Sequence, residues 1–90
     1  MSYDYESHRG WLGTVEGGKA IGEVLANIER VLKPAGCAMM CKLWPATGDS
    51  WSMMAAVDRC VEMGVLREIP YPEGRTPMAQ YRIFTSAEAR

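Results

Sequence analysis

Ninety residues, 48% of them hydrophobic and 23% charged, make one globular domain near the lower size limit for folding without metal or disulfides. A net charge of −1 excludes the basic excess by which dedicated nucleic-acid binders usually secure phosphate. No uninterrupted apolar run reaches the roughly 18 residues a membrane span requires.

Three cysteines (Cys37, Cys41, Cys60) cannot all pair within one chain. The opening Met1-Ser2-Tyr3-Asp4-Tyr5-Glu6 is polar and acidic, unlike a cleavable leader. Free thiols in a reduced, cytoplasmic setting are the expectation. Seven methionines and three tryptophans are read first as a methionine-rich core, with a surface that accepts partners as the alternative.

Residues 1–17 scatter Tyr3, Tyr5, Trp11, Leu12 and Val15 among Asp4, Glu6, His8 and Arg9. Neither a period of 2 nor one of 3.6 holds there, so this segment is expected to be an irregular aromatic arm. The folded domain is then expected over 18–90.

Within Gly13-Thr14-Val15-Glu16-Gly17-Gly18-Lys19-Ala20, Gly13, Gly18 and Lys19 have the spacing of a phosphate-binding loop. Ala20 replaces the hydroxyl that would hold Mg²⁺, and no buried strand precedes the segment. It reads as a flexible glycine lead into the first helix.

That helix is marked by Ile21, Val24, Leu25, Ile28, Val31 and Leu32, a single stripe at helical spacing. Glu23, Asn27, Glu29 and Arg30 fall on the other side. Pro34 disfavours helical geometry at Lys33 and closes the element. Cys37 to Leu43 reads as a second, short helix, stopped before Trp44-Pro45.

After the Thr47-Gly48-Asp49 turn, Asp49 or Ser50 can cap a third helix. Met53, Val57, Cys60 and Met63 are its expected inward stripe, and Gly64 suits the left-handed residue that ends it. Trp51 falls outside that stripe, as an interface anchor or folded back over Trp44. Val65 to Ile69 and Gln80 to Thr85 have strand-forming composition. Pro70, Pro72, Gly74 and Pro77 stiffen the loop between them.

No site for chemistry emerges. Cys37 and Cys41 could share a helix face, but with Cys60 and His8 they lack the close ligand pairs of structural zinc, and core packing explains them. The single histidine lies in the arm, and the carboxylates are spread along helix faces. No catalytic residue, metal or cofactor is expected.

The order helix, short helix, turn, helix, strand, loop, strand resembles the winged helix-turn-helix superfamily of small bacterial and phage regulators. The best-matching run is Ala56-Val57-Asp58-Arg59-Cys60-Val61-Glu62-Met63-Gly64-Val65-Leu66-Arg67-Glu68, an amphipathic helix that ends in glycine and continues into a strand. Pro72-Glu73-Gly74-Arg75 resembles the wing tip, and Gln80-Tyr81-Arg82-Ile83-Phe84-Thr85-Ser86 the returning strand.

The resemblance implies an α+β winged helix-turn-helix of three helices plus a C-terminal two-stranded β-wing. It further implies a monomeric or dimeric regulator that binds double-stranded DNA. Carried over, Ser50, Ser52 and Arg59 would approach the groove, and Arg67, Arg75 and Arg82 the phosphates.

The third helix departs from that pattern. Its outward positions would be Trp51, Ser52, Met54, Ala55, Asp58 and Arg59, which offer few groups that read base edges. The alternative is a winged helix that binds a protein partner, as a phage-type inhibitor or assembly factor would. Trp51, Met54 and Ala55 would form its apolar centre, with Asp58 and Glu62 at the rim.

Overall fold

A computed structural model describes residues 3–72 and 78–87. Helix α1 is Tyr5–Leu12, and Asp4 caps it by accepting from the Glu6 N–H. Thr14 follows two residues later as the next cap, its side chain accepting from the Gly17 N–H. The segment expected to be irregular is therefore two capped helix starts, and Leu12 lies in the core. The signal was weak because α1 buries only that one residue.

Helix α2 spans 15–35 and carries the expected stripe, with Val24, Ile28 and Leu32 fully buried. It begins at Val15, so the glycine-rich segment is helical rather than flexible. Gly17 has a packing role: a Cβ there would lie 2.2 Å from the Trp11 carbonyl oxygen and 2.5 Å from Leu12 Cα. Only glycine lets the start of α2 cross the end of α1 this closely.

Pro34 does not end the helix at Lys33. Residues Ile28–Leu32 widen into a π-turn, and the Lys33 N–H donates to the Ile28 carbonyl. Proline removes an N–H and crowds the carbonyl four residues back, and the wider turn accommodates both. The helix then closes at Gly36, in left-handed geometry at φ 90°.

Strand β1 is Ala38–Met39 and leads into a one-turn helix, α3, Met40–Leu43. The residues expected to form one short helix are therefore divided between strand and helix. Helix α4 is Ser50–Glu62, capped by Asp49, which accepts from the Ser52 N–H. Gly64, at φ 81°, turns the chain into β2, Leu66–Ile69. A 3₁₀ turn, Ala79–Tyr81, precedes β3, Ile83–Ser86.

The sheet is antiparallel, in the order β1-β3-β2. It has three strands where two were expected, and the described residues form four helices rather than three. The class is mixed α+β. Phe84 and Leu66 close the core from the sheet, while α2 and α4 supply most of the rest. No helix among the described residues is long and apolar enough to cross a membrane.

Candidate functional site: the outward face of α4

The segment from Asp49 to Asp58 contains no charge between its ends, and Ala55 and Ala56 are small. Small, uncharged positions let neighbouring elements approach a helix from several sides. That is what happens at α4: Ser52, Met54, Ala55, Ala56, Val57 and Cys60 are all buried. Of the expected inward stripe, Val57 and Cys60 are buried and Met53 half-buried, while Met63 is 47% exposed. A stripe prediction assumes one buried face, and this helix has more than one.

Helix α1, with Tyr3 just before it, provides the additional cover. The Tyr3 hydroxyl donates to Asp58 Oδ2 at 2.6 Å, and the Tyr5 hydroxyl donates to Glu62 Oε1 at 2.7 Å. Arg9 pairs with Glu62 at 3.0 Å. The His8 ring meets Trp51 edge-on at 6.1 Å and stacks on Tyr3 at 6.0 Å. Trp11 lies against the Gly48 turn that leads into α4. His8 is thus held in a helix rather than in a loose arm, and Trp51 packs beside it.

The charges on this side of the domain cancel. Arg82 donates to Asp58 Oδ1 at 2.8 Å and Oδ2 at 3.2 Å, and to Glu68 at 2.8 and 3.0 Å. Its guanidinium also lies 5.2 Å from the Phe84 ring centre. Burial alone would lower the Arg82 pKa, but the hydrogen bonds to Glu68 and Asp58 outweigh it and the net shift is upward. Burial, then the hydrogen bond to Asp58, raises the Tyr3 phenol well above its ordinary value.

At the end of the helix, Arg59 donates to Glu62 at 2.6 Å. Hydrogen bonds from Tyr5 and Arg59 hold the Glu62 carboxyl below the usual range.

The expected DNA-contacting residues are consequently not brought together. Ser50 and Arg67 are exposed. Ser52 is 7% exposed and faces the interior. Arg59 and Arg82 are committed to carboxylates. Arg75 lies outside the described residues.

The alternative protein-contacting set fares similarly. Met54 is 5% exposed and Ala55 fully buried, so both are core residues rather than surface anchors. Trp51 and Asp58 are half-buried and held by α1 and Arg82. Neither set forms a free surface on α4. The uncharged run from Ser50 to Val57 was the available signal that this helix is enclosed.

Elsewhere, polar side chains of α2 take structural roles. Asn27, expected on the solvent side, is 9% exposed; its amide donates to the Leu43 and Trp44 carbonyls at 3.2 and 2.9 Å and accepts from Arg30. Glu23 accepts from the Ala46 and Thr47 N–H groups at 3.1 and 3.2 Å. These bonds tie the loop after α3 to α2. An open groove of about 360 Å³ between them is lined by Glu23, Ala26, Asn27, Arg30, Trp44 and Ala46.

Among the described residues no group of three or more His, Cys, Asp or Glu side chains is placed to hold a metal ion. Cys37 is exposed, Cys41 half-buried and Cys60 buried, and all three thiols are free. Burial pushes the Cys60 thiol up to about 11, which leaves it protonated and unreactive near neutral pH.

The fold thus defines a small mixed α+β domain organised around an enclosed helix. The chain matches no family model, no curated protein and no solved structure.

Proposed function

We propose that this chain is a non-catalytic winged helix-turn-helix domain, acting in the cytoplasm, whose partner is a protein rather than DNA. The succession of α2, α3, turn, α4, β2, loop and β3 supports the architecture. The observation that carries the choice of partner is the cover over α4: the face that would enter a DNA groove is packed against α1 and hydrogen-bonded to Tyr5 of α1 and to Tyr3 just before it. A groove-reading helix needs donors and cations facing outward. On α4, Ser52 is interior and Arg59 is paired with Glu62, which leaves Ser50 as the exposed member of the expected groove-facing set.

A DNA-binding regulator is the second reading. It is favoured by Arg67, which stands exposed on β2. Anisotropy titration with random-sequence duplex DNA at about 50 and 200 mM salt separates the two. The protein-partner reading expects no saturable binding even at the lower salt. Binding that collapses between the two concentrations overturns it.

A further inference from the structure

The sheet has a second face that the core does not use. Phe84 and Ser86 are buried, so Ile83 and Thr85 point to the opposite side, because side chains alternate along a strand. Register places Ile83 directly between Met39 of β1 and Ile69 of β2. Three half-buried apolar side chains therefore form one row across all three strands. Just before β3, Tyr81 is 44% exposed.

Arg67 stands on the same side, opposite Thr85. It is two residues from Ile69 along β2, about 7 Å away. It is exposed and makes no ion pair or hydrogen bond among the described residues. Its neighbour Glu68 falls on the other face of the sheet, opposite Phe84, where it pairs with Arg82. This face thus joins an apolar row to an uncompensated cation.

We propose that this face docks an amphipathic segment of a partner protein. Apolar side chains of the segment lie over Met39, Ile83 and Ile69, and one of its carboxylates pairs with Arg67. The inference rests on the protein-partner reading above and supplies the chemistry of the partner. Charge complementarity decides the occupant. A second copy of this chain, docked face to face, would offer the same apolar row and a second cation but, among the described strand residues of this face, no carboxylate, and so would leave Arg67 unmatched. DNA would satisfy Arg67 but not the apolar row.

The test uses the full ¹⁵N-labelled chain and two synthetic amphipathic peptides of the same pattern, one built from leucine and glutamate, the other from leucine and lysine. The acidic peptide is expected to shift the amides of Met39, Arg67, Ile69 and Ile83 saturably. It should bind roughly fivefold more tightly than the basic peptide, as a rim ion pair would give. Arg67→Glu, at an exposed side chain that makes no hydrogen bond or ion pair among the described residues, should reverse that preference.

Absence of shifts, shifts confined to α2 or α4, or affinity indifferent to peptide charge would overturn the proposal. Failure of the underlying reading has a different signature, namely salt-sensitive duplex binding in the DNA titration.

Discussion

Replacing Gly17 by alanine probes how firmly α1 is fixed over the rest of the fold. On an exposed helix surface the exchange gains about 1 kcal/mol from helix propensity. At Gly17 the new methyl would sit 2.2 Å from the Trp11 carbonyl oxygen, 2.5 Å from Leu12 Cα and 2.8 Å from the Leu12 carbonyl carbon. All three are backbone atoms, so no rotamer change relieves the clash, and the end of α1 must lift.

Overpacking of this kind costs about 1–3 kcal/mol. Any withdrawal of Leu12, now 6% exposed, forfeits part of the roughly 2 kcal/mol that its burial contributes. The net expectation is a loss of about 2 kcal/mol, or about 8–16 °C in Tm for a chain of this size. Gly18→Ala is the internal control, since nothing lies within 4 Å of its Cβ position. It should stabilise by up to about 1 kcal/mol. Urea and thermal unfolding followed by far-UV circular dichroism give both numbers. A Gly17→Ala protein at least as stable as wild type would refute the close crossing of α1 and α2.

Asp49→Ala removes the α4 cap and should cost about 1 kcal/mol. The Ser52 N–H holds the Asp49 carboxyl below its ordinary value, so this contribution is present above the unfolded carboxylate pKa and fades as pH falls through the folded one. The stability gap between variant and wild type should therefore narrow below about pH 4, and a gap that persists at lower pH would contradict the cap. Asp58→Ala strips Arg82 of one partner and Tyr3 of its acceptor, at a cost of about 2 kcal/mol by denaturant unfolding. Combined with Tyr3→Phe the losses should be less than additive, and strict additivity would argue against the shared contact. With a thiol-exchange reagent at mildly alkaline pH, Cys37 should react first and Cys60 only on unfolding. Equal rates at all three thiols would contradict the burial of Cys60.

The stripe of α2 was legible because it is long and single-faced: Val24, Ile28 and Leu32 are buried, Ile21 and Leu25 pack half-buried against the core, and Val31 is half-buried. The Asp49 cap and the left-handed Gly64 were legible for local reasons, since each depends on one residue type at one position. Helix α1 was not, because most of its anchoring is polar and long-range; Tyr3 reaches 55 residues ahead to Asp58, and Tyr5 57 residues ahead to Glu62. Strand β1 has two residues and exists only through pairing with β3, so no periodicity announces it.

The candidate site was the least legible feature. An outward face was assigned to α4 by assuming that one face of a helix is buried and the other is free. Ala55 and Ala56 look neutral under that assumption, yet they are the positions where close packing requires small side chains. Arg82, placed by the resemblance on phosphate, instead closes a network with Asp58 and Glu68. Which charges cancel is a property of the assembled tertiary structure, and neither charge counting nor periodicity resolves it.

Methionine oxidation tests the enclosure of α4 most directly. Met54 is 5% exposed, whereas Met63 at the end of the same helix is 47% exposed and Met78 is 64% exposed. Under dilute peroxide, peptide mapping by mass spectrometry should find Met63 and Met78 oxidised early and Met54 protected until the chain unfolds. Oxidation of native Met54 at the rate of Met63 would show that this face of α4 is open, and would return it to consideration as a binding surface.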